Sequence, residues 1–321
     1  MDSAAKPPTL VAMDSDRNPL STVAAEDLPA RPSVSACLVV RNEEAVIERC
    51  LESIEGVVDE IVLVHDGECE DGTLEIAERH GCKIHVRPLV GHAEASTVFA
   101  FAQARGEWIL SLDADEYLSE PLREGLRGLL DEEGVNGYEL LWRMWDGRRY
   151  ITENGPFKLA LFRRANVHLL GMIHGIERVD PPIRRVDLQL EHRPAYNNFA
   201  LATVLTKWRR WAQINASEFL MPFADLPTFN WEDTTDWPPR RQVLNRLSPL
   251  LFLPYIPVVF LYNLWRERDV YGLRENLRLS LYQGIYAGMV QYYVAKYLYL
   301  GGGRSTAMRS PRPGAHDSRE R

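Results

Sequence analysis

The sequence predicts an α/β fold, a mostly parallel sheet with helices on both faces, followed by a helical C-terminal region. Three observations carry this reading. Short apolar runs alternate with amphipathic segments from Val34 to Leu112. Capping residues and glycines punctuate them. After about residue 200 the alternation gives way to apolar, tyrosine-rich stretches. Strands that alternate with helices form parallel sheets, because each crossover needs a helix's length of chain.

Val34 to Val40 is a short, mostly apolar run and reads as a buried strand. Asn42 is placed to cap a helix, with Glu43 and Glu44 favoured in its first turn by the positive partial charge of a helix N-terminus. Val46, Ile47, Cys50, Leu51 and Ile54 then recur on one helical face. Glu60 to Val64 reads as the second strand, followed by a loop from His65 through Asp66 to Glu70. Asp71 caps a second helix that ends near His80, where Gly81 suits the left-handed C-terminal position. Lys83 to Val86 reads as a third strand, Ala93 to Ala104 as a third helix closed by Gly106, and Trp108 to Leu112 as a fourth strand. Lys207 to Phe219 reads as helical, and 222–240, rich in Pro, Trp and Asp, as a loop. Such sheets bind ligands beyond the carboxyl ends of their strands, so chemistry is sought in the loops after strands one, two and four.

A chain of 321 residues favours one main domain plus an appendage. The net charge of −8 is unevenly placed: residues 240–321 carry 13 Lys+Arg against 5 Asp+Glu, which leaves the body acidic. An acidic body argues against nucleic acid as the main partner, since phosphate backbones need a basic footprint. The basic end suits an anionic membrane face, or is charge segregation without function. Cys37, Cys50, Cys69 and Cys82 form no CxxC pair and fit thiols in a reducing compartment. The N-terminus has no basic start followed by an apolar run, hence no secretory signal is expected, and residues 1–33 read as a disordered leader. These features point to the cytoplasm.

Strand four runs directly into Asp113-Ala114-Asp115-Glu116. In an extended segment residues i and i+2 point to one side, so both Asp carboxylates are expected to face one site. Mg²⁺ or Mn²⁺ takes hard oxygen ligands, commonly one or two carboxylates with waters and substrate phosphates. Ala114 leaves room for a ribose or diphosphate. A DxD alone is weak, arising roughly once by chance at this length, and Asp14-Ser15-Asp16 in the leader is such a case. Only Asp113-Ala114-Asp115 follows an apolar strand of a βα series.

Three segments resemble glycosyltransferase family 2, the group with the GT-A (Rossmann-like) fold. They are SACLVVRNEEAVIERCLESI, DEIVLVHDGECEDGTLEIAERHG and GEWILSLDADEYLSEPL, in the family's order and spacing. The resemblance covers about residues 34–200 and implies a nucleoside-diphosphate sugar donor with Mn²⁺ or Mg²⁺. It implies that the backbone from Val40 through Arg41, Asn42 and Glu43 lines the nucleoside pocket. His65 and Asp66 compete for the base, because the loop is one residue longer than the family's. Asp113 meets the ribose or the metal, Ala114 lies against the nucleotide sugar, and Asp115 is the metal ligand. Asp71 is either the helix cap or a ligand. Further on, PFKLALFRRANVHLLGMIHGIERVD resembles a subgroup that makes lipopolysaccharide cores and related envelope glycans. His174 matches that subgroup's histidine, implying a metal or diphosphate contact. The acid expected next is Gly175, so Glu177 is the substitute catalytic base, or else a solvated loop charge. His192, Arg163 and Arg164 are weaker candidates with ordinary structural readings. Family members that invert use a carboxylate to take the acceptor's proton.

The chain divides into a leader (1–33), a GT-A domain (34–200), a helical and loop connection (201–245), a membrane-associated helical region (246–300) and a disordered basic tail (301–321). Nine of the thirteen tyrosines lie between Tyr255 and Tyr299, and Tyr and Trp favour the headgroup level of a bilayer. Residues 247–265 and 279–295 are free of charge, at or below the roughly 20 residues needed to span, and the first is interrupted by Pro249, Pro254 and Pro257. Helices lying in the interface are expected, anchored by Arg246, Arg266, Arg268, Arg274 and Arg278, with a soluble helical subdomain as the other reading. Gly284 and Gly288 form a GxxxG suited to close helix packing. The implied function is sugar transfer to a lipid-linked or envelope-glycan acceptor at the inner face of the plasma membrane. A nucleotidyltransferase lacks support, since no glycine-rich basic loop follows Val40. A nicotinamide dehydrogenase needs GxGxxG where RNEEAV stands. A non-catalytic nucleotide-sugar scaffold stays open because of Gly175.

Overall fold

The computed structural model describes residues 32–301 except 153, 176, 195, 196, 198, 199 and 232–236. The expected disordered basic tail apart from Gly301, and all but the end of the leader, lie outside the described residues.

The main sheet has eight strands in the order β3-β2-β1-β4-β7-β6-β10-β5. β1 (Val34–Val40), β2 (Glu60–Asp66), β3 (Lys83–Arg87) and β4 (Trp108–Leu112) run parallel, as predicted. β7 (Phe157–Arg163) is antiparallel between β4 and β6 (Gly137–Leu141). β10 (Ile183–His192) runs parallel to β6, and β5 (Glu116–Leu118) closes that edge antiparallel to β10. β8 (Val167–Leu170) and β9 (Glu177–Val179) form a small second sheet with β11 (Thr228–Phe229). Period-two alternation explains the two layers. Val34, Ala36, Leu38 and Val40 face α1 (Ile47–Ile54), α2 (Thr73–Arg79) and α4 (Glu120–Leu130), while Cys37 faces α3 (Ala93–Gln103).

In α1 the buried residues are Ile47, Cys50, Leu51 and Ile54, the stripe read from the sequence. Fully burying each of Ile47, Leu51 and Ile54 contributes roughly 1.5–3 kcal/mol. Gly106 is required by space: a Cβ there would lie 2.6 Å from the Ser35 backbone nitrogen. The stretch 116–186 holds α4, β6, β7 and β8, which periodicity did not predict. α4 buries Leu122, Leu126 and Leu130, a stripe one residue wide that leaves a thin helical signal.

In the expected helical connection after residue 200, Leu201–Thr203 (α5) widens to a π-helical turn at Val204–Trp208 and continues as α6 (Arg209–Glu218). The expected loop 222–240 contributes β11, whose Phe229 joins Phe101 and Phe162 in the core beneath α3. The apolar run 247–265 is likewise two helices, α7 (Pro239–Leu251) and α8 (Tyr255–Arg266). α9 (Leu273–Ala295) packs on α6 through Ala212, Ala216, Val290 and Val294, so this region is built onto the sheet domain. The GxxxG works as expected: a Cβ on Gly284 would meet the Ile256 carbonyl at 2.6 Å, and one on Gly288 the Ile256 side chain at 2.5 Å. No single helix among the described residues is long and apolar enough to cross a membrane. α7 and α8 together are, but they bend by 113° at their break.

Candidate functional site

The carboxyl ends of β1, β2 and β4 are aligned by their registers, Val40 opposite His65 and Leu38 opposite Leu112. The helix expected from Asn42 begins later, at Ile47. Asn42 instead takes a left-handed conformation (φ 53°) and ties the first loop to the second. Its amide N–H donates to His65 Nε2 at 3.3 Å, and its Oδ1 accepts from Glu70 N–H at 3.0 Å. Glu43 N–H donates to Thr73 Oγ1 at 2.7 Å, Glu44 N–H to Asp71 at 3.2 Å, and Gly72 N–H to Glu44 at 3.0 Å. Asp71 also accepts from Thr73 N–H at 3.0 Å, a turn bond one residue ahead of Gly72, the N-cap of α2.

His65 and Asp66, placed in a loop by the sequence, are the last residues of β2 and are both buried. His65 Nδ1 lies 2.9 Å from Gly67 O, so that nitrogen carries the proton and Nε2 accepts from Asn42. The Asp66 oxygens accept from Val90 and Gly91 N–H at 2.9 and 2.8 Å, fixing the loop after β3. His65 therefore faces the first loop, and Asp66 faces away toward the third.

The acid pair does not lie in an extended segment. Residues 113–116 form a turn, with Glu116 N–H donating to Asp113 O at 3.0 Å and Asp113 N–H to Glu116 Oε2 at 2.9 Å. The turn, rather than a two-residue repeat, presents the carboxylates. Asp113 is 59% exposed, and Asp115, 22% exposed, has Oδ2 3.4 Å from His192 Nε2. His192 is buried and stacked on Trp142 at 4.5 Å.

Lys158 joins this site unannounced. Its ammonium contacts Asp113 at 3.1 Å and the fully buried Glu116 at 2.7 and 2.8 Å. Trp142 Nε1 also donates to Glu116 at 2.7 Å. The β4–β7 register explains the meeting: Leu110 pairs with Leu161, and three further steps bring Lys158 opposite Asp113. The Lys158 charge holds the Asp113 carboxyl below its usual range. Burial opposes the charge on Lys158, but Asp113 and Glu116 outweigh it and raise its pKa.

Two more acids share the cleft. Burial first, then Asp115 and Asp113, raise Glu43 to about 7, against the pull of Lys207. Burial likewise raises Glu177 to about 7, with Lys158 opposing and Asp113 and Glu116 adding to it. The Glu177 side chain is exposed at the start of β9, within reach of the Lys158, Asp113 and Glu116 charges. Its strand β9 pairs with β8, Leu169 opposite Glu177.

His174, the third residue expected to hold the metal, has its hydrogen-bond partners away from Asp113 and Asp115. Among the described residues no three His, Cys, Asp or Glu side chains converge as a metal-holding group. His174 is left-handed (φ 50°), its N–H donates to Glu94 at 2.9 Å, and its ring meets the Tyr286 hydroxyl at 3.1 Å. At Gly175 a Cβ would fall 2.0 Å from Leu170 O, so the fold bars an acid there. Sequence reasoning missed Lys158, Glu116 and Lys207. Glu116 had a signal in its place within the acidic run, whereas Lys158 and Lys207 had none.

Residues 35–174 match the family described as "Glycosyl transferase family 2". The chain is 35% identical over 105 residues to an uncharacterized glycosyltransferase of Rickettsia bellii, covering 33% of this chain and 35% of that protein. It is 35% identical over 134 residues to the lipopolysaccharide core biosynthesis glycosyltransferase LpsC of Rhizobium meliloti, covering 40% and 48%. It thus spans about a third to a half of the length of these curated relatives. Among solved structures it is similar to glucosyl-3-phosphoglycerate synthase from Mycobacterium tuberculosis in complex with Mn²⁺, UDP and glucosyl-3-phosphoglycerate. That likeness has 18% identity and a TM-score of 0.40, over 66% of this chain and 92% of the other. The three sequence segments, their order on the sheet and the match over residues 35–174 agree in their likeness to glycosyl transferase family 2.

Proposed function

We propose that this chain transfers a sugar from a nucleoside-diphosphate donor to a lipid-linked or envelope-glycan acceptor, with inversion and with Mn²⁺ or Mg²⁺ as cofactor. The observation that carries this reading is the cluster at the carboxyl ends of parallel strands, in which Lys158 pairs with Asp113 and acts on Glu177 while Asp115 and Asp113 act on Glu43. The donor set suits a hard divalent cation: two accessible carboxylates in one turn, amid acids that raise one another's pKa, with donor phosphates to complete the shell. Asp113 and Asp115 would hold the ion, which when bound offsets charge on the departing nucleoside diphosphate. Val40 to Glu43 and His65 form the wall for the base, and Lys158 and Lys207 supply cations for phosphate.

Glu177 acts as the base. Its carboxylate takes the acceptor hydroxyl proton as the oxygen bonds to the anomeric carbon and the bond to the diphosphate breaks. A carboxyl raised to about 7 is matched to that task near neutral pH. Lipid-linked or envelope glycans are favoured as acceptors by the likeness to LpsC and by exposed Leu250, Leu253, Val258, Leu261 and Trp265 on α7, α8 and the turn between them. With the arginines of this region these residues support peripheral binding to an anionic, inner-leaflet membrane surface.

Nucleotide sugars with manganese test the reading. Wild type should release nucleoside diphosphate, Glu177→Gln should lower kcat by about 10²–10⁴ with donor affinity kept, and Asp113→Ala with Asp115→Ala should lose manganese affinity and transfer together. Absence of any released nucleoside diphosphate in wild type would leave the non-catalytic scaffold, the reading that Gly175 favours.

A further inference from the structure

The α8–α9 pair carries a groove that the sheet domain does not use. Its volume is about 710 Å³, within the range of about 300–1,000 Å³ typical of ligand sites. Leu273, Leu277 and Leu281, one helical turn apart on α9, line it opposite Phe260 of α8. Leu273 is 76% exposed, and no described residue covers the stripe. Arg274 and Arg278 repeat the same spacing one residue on and form a cationic wall.

Arg278 gives the groove its chemistry. Its Nε is buried, yet has no hydrogen-bond partner among the described residues. A buried donor without an acceptor is costly, and a guanidinium presents its donors in a fork that matches phosphate. Alkyl floor and guanidinium wall together suit one amphiphile with a phosphate head. One end of the groove leads toward the cleft: Tyr282 meets Trp208 at 6.2 Å, Trp208 meets Tyr286 at 5.9 Å, and Lys207 beside Trp208 acts on Asp113 and Glu43. The segment leading into α9 touches the other domain too, Tyr271 bridging to Thr152 in the loop before Lys158.

We propose that this groove seats the hydrocarbon chain of the acceptor, with its phosphate on Arg278 and Arg274, so that the acceptor is a glycan hydroxyl carried on a lipid phosphate and delivered to the cleft at its Tyr282 end. The inference rests on the sugar-transfer reading and narrows its acceptor.

Calorimetric titration of the full chain with decyl phosphate, decanol and inorganic phosphate, below micellar concentration, tests it. Decyl phosphate should bind saturably at one site, more tightly than octyl phosphate, since each added methylene in an apolar groove is worth about fourfold. Arg278→Gln should weaken decyl phosphate by at least about tenfold and leave decanol unchanged. Leu281→Gln should weaken both, and Leu277→Gln repeats the test with a second groove residue. All three should keep wild-type donor binding. Decyl phosphate affinity unaltered in these variants would overturn the proposal, and so would inorganic phosphate binding as tightly as decyl phosphate. A concentration-dependent dimer abolished by Leu281→Gln would overturn it as well, by assigning the groove to a second copy. If wild type binds no nucleotide sugar, the transfer reading fails by itself, and the decyl phosphate titration still decides the groove.

Discussion

Replacing Lys158 by alanine removes the one ammonium shared by Asp113 and Glu116. Asp113 is exposed and loses little in stability. Glu116 is fully buried, with Trp142 Nε1 and Asp113 N–H still donating but its counter-charge gone. Breaking a buried pair by removing one partner costs about 3–5 kcal/mol. Lys158 is 23% exposed, so the lower end, about 3 kcal/mol, applies after solvent screening. At roughly 2–4 °C per kcal/mol this is a fall of about 6–12 °C in Tm. The pH dependence has a definite sign. In wild type the raised Lys158 pKa contributes stability present below the ordinary lysine value and lost only as pH rises through the folded value. Burial already raises the Glu116 carboxyl to about 7 in wild type against the pull of Lys158; in the variant that pull is gone, so the folded state holds more firmly a proton the unfolded state releases. The variant should therefore be weakest at pH 8 and recover toward pH 5. Thermal melts of wild type, Lys158→Ala and Lys158→Ala/Glu116→Gln at both pH values measure this, and the double variant should regain most of the loss at pH 8. A deficit equal at both pH values, or no rescue by Glu116→Gln, would refute the argument.

Transfer by wild type should rise with pH through about 7 as Glu177 ionises, and Glu177→Gln should flatten that limb in a pH–rate profile. His92 is buried with its two ring nitrogens 3.0 and 3.1 Å from Glu94 and Glu218, and although burial opposes its charge these carboxylates raise it to about 9. Its contribution, about 3 kcal/mol, should be full below the ordinary histidine pKa and lost as pH rises through 9. The stability gap to His92→Gln, read by urea denaturation, should accordingly close between pH 6.5 and 9. Gly288→Leu drives a side chain into Ile256 and should lower stability by about 1–3 kcal/mol, whereas Gly128→Ala, with nothing within 4 Å, should be neutral or stabilising in the same melts.

The sequence by itself determined β1 to β4, the buried stripe of α1, the αL glycine after α2 and the acidic run at the end of β4. Each is local: a period, a cap or a short motif encodes it in neighbouring residues. What joins distant residues was out of reach. Asn42 looked like a helix cap because Glu43 and Glu44 follow it, but its partners, His65 and Glu70, are more than twenty residues away. Lys158 reads as an ordinary strand lysine until the antiparallel register of β7 against β4 sets it opposite Asp113. His174 looked like a ligand by its motif, yet Glu94 and Tyr286 draw it elsewhere. The acids were therefore legible in the sequence, because a strand end and a turn place them. Their neutralising lysine, the shape of the cleft and the C-terminal groove were decided only by tertiary structure, because strand register and helix packing act between residues that no sequence window contains.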